Sequence, residues 1–169
     1  MQGKPVQGKP VKASAVDNHT YKVFPNDLNS YGTAFGGMIM GICDRTALVV
    51  AERHSKKTCV TASVDSMHFL KPAGQGDILL FSAAINRAWT TSMEIGVKVV
   101  AEHYLTGERR HILSAYFTFI ALDDNKQPTT VPPVIAETLI EKQRFEEANL
   151  RRERRKNEAE ERKSQRKLS

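Results

Sequence analysis

Between Asn29 and Asp44 the chain reads Asn-Ser-Tyr-Gly-Thr-Ala-Phe-Gly-Gly-Met-Ile-Met-Gly-Ile-Cys-Asp, a stretch dense in groups able to do chemistry. Gly36 and Gly37 open a segment of helix-forming composition. Their N–H groups are unshielded and lie at the positive end of the helix dipole, roughly half a charge. Such a pair can polarise a carbonyl oxygen and hold the oxyanion formed when it is attacked, where one donor is typically worth about 10² to 10³ in rate. Close helix packing accounts for the same glycine pair. Asp44 follows about two turns later among Met, Ile, Cys, Ala, Leu and Val. An ionised carboxylate in apolar surroundings is costly, so this acid is expected to be paired, protonated or catalytic. A salt bridge or interface contact through Arg45 is the bland alternative. Asn29 either caps a turn or positions water or a carbonyl beside Asp44.

Other chemistries find no support. The five histidines, at 19, 54, 68, 103 and 111, have no metal-ligand spacing and none falls beside Asp44, which leaves them as structural or surface residues and predicts no metal. No nucleophile elbow, phosphate-binding loop or dinucleotide fingerprint occurs. Cys43 and Cys59 match neither a zinc pair nor a redox pair, so two buried free thiols in a reducing compartment are expected. The net charge of +6 raises the question of nucleic acid, but from Ala136 onward there are 11 basic and 8 acidic residues, so half of the excess belongs to the tail.

The elements that must position these groups follow from pattern. Gln-Gly-Lys-Pro-Val occurs twice, at 2–6 and 7–11, and this composition predicts a flexible arm over 1–17. A domain over 18–134 opens with a strand at His19 to Phe24, stopped by the turn residues Pro25-Asn26-Asp27. Met38 to Arg53, apolar nearly all round, predicts a central buried helix. Four long strands follow, Thr58 to Leu70, Asp77 to Trp89, Ser92 to Tyr104 and Arg109 to Leu122. Alternation such as Met93, Ile95, Val97, Val99 against Glu94, Lys98, Glu102 supports them, and short connections imply antiparallel neighbours. The class is α+β, an antiparallel sheet obliged to wrap the helix. Residues 135–169 form a charged helical tail, apolar on one side only to about Leu150, and are expected to be solvated and frayed beyond it. No stretch reaches the roughly 20 apolar residues of a membrane span, and the start lacks a secretory core, so a cytoplasmic protein is expected.

Taken in order, Pro25-Asn26-Asp27-Leu28-Asn29, Gly32, Phe35-Gly36-Gly37, Met40, Asp44, Val60 to Asp65, Phe69-Leu70-Lys71-Pro72, Gly76-Asp77 and Thr91 to Ile95 resemble the cytosolic acyl-CoA hydrolases of the hotdog fold. The likeness covers roughly residues 19 to 134. It implies acyl-CoA thioester hydrolysis, two subunits joined edge to edge into one sheet, and three such dimers in a hexamer. It also implies a site at the dimer interface, with Asn29 of one subunit facing Asp44 of the other. The implied roles are Asp44 as general base or nucleophile, Asn29 as the group positioning water or thioester, and Gly36 and Gly37 as oxyanion donors. No cofactor is required beyond the coenzyme A carried by the substrate. Lys71, beside the Pro72 turn, and Arg87, Thr91 and Ser92 around the third hairpin are the candidates for holding it, since phosphates prefer Lys and Arg. Arg45 departs from the family pattern, in which an acidic or apolar residue is frequent. A non-catalytic acyl-CoA-sensing module with a basic tail for nucleic acid is the alternative, and a hotdog dehydratase ranks third for want of a histidine near the helix start.

Overall fold

The computed structural model describes residues 7–166. In chain order its elements are β1 (Lys9–Pro10), β2 (Val16–Lys22), α1 (Gly36–Ser55), β3 (Thr58–Val64), β4 (Ile78–Ala88), β5 (Ser92–Glu102), β6 (Arg109–Leu122), β7 (Val134–Ile135) and α2 (Leu139–Arg166). Five strands form one antiparallel sheet in the order β2-β4-β5-β6-β3. Because strand side chains alternate, Leu79, Phe81, Ala83 and Ile85 of β4 share one face with Met93, Ile95, Val97 and Val99 of β5 and with Ala115, Phe117 and Phe119 of β6. All are buried in one cluster with Ile39, Cys43, Ala47, Val50 and Ala51 of α1, spaced three and four apart along the helix. The sheet thus wraps a central helix, in the hotdog arrangement.

Several expectations change on folding. Residues 1–6 of the expected arm lie outside the described residues, but 7–17 are packed rather than flexible. Lys9 and Pro10 run parallel to Val134 and Ile135, Val11 and Ser14 are buried, and Lys9 Nζ donates 2.6 Å to the His54 carbonyl at the end of α1. This segment adds to a core built by residues far along the chain, which its own composition cannot reveal. The expected boundary at 134/135 consequently falls inside β7. The strand from Thr58 stops at Val64 rather than Leu70. The β3–β6 register shifts between Thr61 and Ser63, and the chain then leaves the ladder, held by Asp65 N–H to Tyr116 O at 3.0 Å. β3 and β4 are accordingly not neighbours, since the link between them crosses to the other side of the sheet.

α1 is not buried all round. Gly37, Met40, Gly41, Arg45 and Val49 face outward, with Met40 at 43% and Val49 at 40% exposure. The tail also departs from the expected solvated helix. Ala148 is buried, and Arg151 and Arg155 reach Glu94, a residue that alternation assigned to a solvent face.

His54, in the last turn of α1, is buried with Nε2 2.8 Å from the Pro132 carbonyl. Burial pushes its pKa down, the Pro132 carbonyl opposes that, and the charge of Lys9 adds to the lowering. An unfolded histidine titrates near about 6.5, so below that pH the unfolded chain binds a proton that the fold excludes. This contribution is complete above about pH 6.5 and is lost on acidification through the lowered folded value. Urea midpoints are therefore expected to fall between about pH 7 and 5, and His54→Asn to flatten part of that slope.

Candidate active site

The approach to α1 is a tightly bonded loop. Asn29 Oδ1 accepts from the N–H groups of Tyr31 at 2.9 Å and Thr33 at 3.2 Å, and its Nδ2 donates to Thr33 Oγ1 at 2.9 Å. Gly32 closes this turn at φ +73°, a left-handed conformation suited to glycine. Asp27 anchors the turn from the other side, with its carboxylate taking the Tyr21 hydroxyl and the Phe24 N–H, each at 2.8 Å, and its carbonyl taking the Phe35 N–H at 2.7 Å. Asn29 is thus a turn cap within its own subunit. One of its two amide N–H donors is committed to Thr33, so the amide retains a donor.

α1 begins at Gly36, and Phe35 before it supplies no side-chain cap. The first-turn amides of Gly36 and Gly37 therefore have no intrahelical acceptor. A Cβ on Gly37 would lie 2.6 Å from the Phe35 ring and one on Gly36 3.3 Å from the Phe69 ring, so a larger residue at either position would make one of these exposed rings shift.

Asp44 is half-buried on the outward stripe of α1, where Thr61 Oγ1 of β3 donates to its Oδ1 at 2.7 Å. The expectation of an acid enclosed by apolar side chains is corrected, because Asp44 lies half-buried at the margin of the sheet's cover, beside β3. Among the described residues Asp44 has no salt bridge, which removes the pairing with Arg45. Thr61 is the partner that sequence reasoning missed as a site residue. Its signal was present in the Val60-Thr61-Ala62-Ser63 motif, but only the fold brings β3 across to α1. Cys43, beside Asp44, is fully buried, and burial followed by the neighbouring carboxylate pushes its thiol up to about 12, which keeps it protonated and unsuited to nucleophilic attack.

The four expected coenzyme A residues are not brought together. Lys71 is exposed two residues beyond Phe69, near the start of α1. Arg87 lies across the ladder from Glu94, so it faces α2, where its Nη1 donates 3.2 Å to the Phe145 carbonyl and its guanidinium stacks 4.0 Å from the Phe145 ring. Ser92 lines a groove of about 1050 Å³ between α2 and the outer face of the sheet. Thr91 gives its carbonyl to the Ala121 N–H at 3.0 Å. Among the described residues there is no cluster of His, Cys, Asp and Glu able to hold a metal, and no helix long and apolar enough to cross a membrane.

A sheet wrapped on one helix, with bare glycine amides at the helix start and a hydroxyl-bonded carboxylate on its open side, defines a hotdog-fold thioesterase domain. Residues 31–107 match the thioesterase superfamily model. The uncharacterized acyl-CoA thioester hydrolase YkhA of Bacillus subtilis is 45% identical over 119 residues, covering 70% of this chain and 69% of that protein. An apo-hexameric acyl-CoA thioesterase superposes with a TM-score of 0.88 at 37% identity, covering 91% of this chain and 98% of its own. An acyl-CoA hydrolase of Staphylococcus aureus, solved with butyryl coenzyme A, coenzyme A and coenzyme A disulfide, gives 0.85 at 38% identity, covering 92% and 94%. Structures of that enzyme also exist with an aspartate, an asparagine or a threonine replaced by alanine. The chain belongs to the acyl-CoA thioester hydrolase family of the hotdog superfamily.

Both cysteines are free and buried. An aromatic disulfide reagent is expected to detect neither thiol in the native protein and both after unfolding in urea. Fast native labelling of one thiol would contradict the enclosure of Cys43 or Cys59.

Proposed function

We propose that this protein hydrolyses acyl-CoA thioesters to free fatty acid and coenzyme A in the cytoplasm, as a homo-oligomer whose working unit is a dimer, three of which form a hexamer. The observation that carries this reading is the Thr61 to Asp44 hydrogen bond on the open side of α1. The hydroxyl occupies Oδ1 and holds the carboxylate's orientation, leaving Oδ2 to take a proton.

In the reaction, Asp44 removes a proton from water as the water oxygen bonds to the thioester carbonyl carbon. The carbonyl electron pair moves onto oxygen, where the Gly36 and Gly37 amides receive it. When the oxyanion collapses the C–S bond breaks. Coenzyme A leaves as a thiolate, which takes up the proton held by Asp44 and so restores the carboxylate, and the acyl group leaves as carboxylic acid. A thiolate needs no dedicated acid to depart.

The open stripe of α1 supports the dimer, since it leaves the apolar Met40 and Val49 exposed at 43% and 40%. A second copy set against the open stripe of α1 completes the site and covers Met40 and Val49, and it can bring its Asn29 amide to Asp44. The hexameric relative and the coenzyme A complexes of the Staphylococcus aureus enzyme support the same assembly and substrate class. The residue types substituted in that enzyme, aspartate, asparagine and threonine, are those of Asp44, Asn29 and Thr61.

Release of free thiol from a panel of acyl-CoA substrates, acetyl to palmitoyl, is expected for the wild type. Asp44→Ala should lower kcat by at least about 10², the low end of the range for a general base, while the far-UV spectrum is unchanged. Full hydrolysis by Asp44→Ala would remove the carboxylate from the mechanism, and absence of turnover on every chain length would favour a sensing module. Specific activity should also fall toward zero on dilution below the dimer dissociation constant. An active monomer, seen by sedimentation under assay conditions, would overturn the shared site.

A further inference from the structure

The first turn of α1 has little of its own to hold it. Phe35 supplies no side-chain cap, and Gly36 and Gly37 are of the residue type with the widest backbone freedom. The aim of their amides therefore depends on how the residues just before them are held. The Phe35 N–H donates to the Asp27 carbonyl at 2.7 Å, and the Ala34 N–H donates to the Ala73 carbonyl at 2.8 Å.

Ala73 belongs to the link between β3 and β4, yet it is 2% exposed and is gripped on both sides. The guanidinium of Arg110 on β6 donates from Nε to the Pro72 carbonyl at 3.1 Å and from Nη2 to Asp77 Oδ2. The same Asp77 oxygen accepts the Gly74 N–H at 2.6 Å. One ion pair thus fastens residue 72 by its carbonyl and residue 74 by its amide, and the carbonyl between them carries Ala34. Thr33 and Gly74 form a further bridge. The Asp77 side chain is only 4% exposed, so water screens the pair weakly.

Alternation makes Arg110 an unexpected residue at its position. It stands across the ladder from Ala101, which in turn stands across from Leu79, and both of these are buried on the helix side of the sheet. Cross-strand partners share a face, so the guanidinium leaves β6 on the side that holds α1. A cation in such a row needs partners, and those it takes, Asp77 and the Pro72 carbonyl, tie the sheet to the approach to α1.

We propose that Arg110, through Asp77, is a positioning residue for the oxyanion donors: it locks residues 72–74 to the sheet and so fixes Ala34 and the Gly36 and Gly37 amides that follow it. The inference rests on the reading of those amides as donors to the thioester oxygen.

The experiment compares Arg110→Ala, Arg110→Lys, Asp77→Asn and the double variant Arg110→Ala with Asp77→Asn in the full-length oligomer. Arg109→Ala is the control, since that side chain is 63% exposed and bonds Glu102. Each assay is run where near-UV circular dichroism shows the variant fully folded. Misaimed donors weaken the transition state more than bound substrate, so Arg110→Ala and Asp77→Asn are expected to lower kcat about tenfold with KM within about twofold. Arg110→Lys keeps the charge without the two-point fork and should recover part of kcat. The double variant should lose less than about twofold beyond Arg110→Ala, because the two residues act through one contact. Arg109→Ala should match the wild type. In parallel, hydrogen exchange at the Ala34 amide should accelerate at least about tenfold in Arg110→Ala while β4 and β5 keep their protection. An unchanged kcat in Arg110→Ala, or a loss confined to KM, would overturn the proposal while leaving hydrolysis itself established. Should Arg110→Ala fail to fold, Arg110→Lys and Asp77→Asn decide by the same criteria. If the wild type does not turn over, the proposed function fails instead. The exchange measurement still decides the role of Arg110, since unaltered protection at Ala34 overturns it.

Discussion

A single sheet covers one side of a helix, and α1 is apolar on more than one side. Much of the functional design follows from that mismatch. The sheet takes Ile39, Cys43, Ala47, Val50 and Ala51 into its concave face and leaves Met40, Asp44 and Val49 outside it. The same rotation of the helix that buries Cys43 and suppresses its thiol presents the adjacent carboxylate to the open side. Burial of the apolar stripe, at about 25 cal/mol per Å², fixes that rotation far more firmly than any polar contact at the site could. The Asp44 carboxylate is therefore oriented by the core, and Thr61 refines its direction.

The second constraint is electrostatic. Glu94 projects from the middle strand onto the outer face of the sheet with no exposure to water. A buried carboxylate requires compensation, and leaving such a charge unpaired typically costs about 3 to 5 kcal/mol. Arg151 and Arg155 supply it, with the Arg151 guanidinium also stacked 3.7 Å from the Tyr116 ring. This requirement explains why a helix with so few apolar residues docks at all. It also spends part of the tail's positive charge inside the fold, which weakens the case for a nucleic-acid-binding tail.

The elements were legible where local pattern and tertiary environment agree. The glycine turn, the central helix, the strands from Ile78 to Leu122 and the presence of a C-terminal helix were all readable from composition and alternation. Failures occurred where a distant partner changed a residue's environment. The segment 7–17 has the composition of a flexible chain but packs against residues 54 and 133–135. Glu94 alternates like a solvent-facing residue, yet α2 covers it. The sequence around Arg87 gave no sign that Phe145 packs on its guanidinium. Thr61 lay within a recognised motif, but its role depends on a strand crossing to a helix seventeen residues earlier.

What the sequence by itself determined is the set of chemical groups and their local frames: two bare amides at a helix start, a capped turn at Asn29, and a carboxylate two turns along the helix. Short-range backbone preferences and hydrogen bonds suffice for those. The tertiary structure alone decided which side of α1 stays open, that Thr61 meets Asp44, and that α2 covers Glu94. These are relations between residues joined only by packing, and packing depends on the summed burial of the whole core rather than on any local stretch of chain.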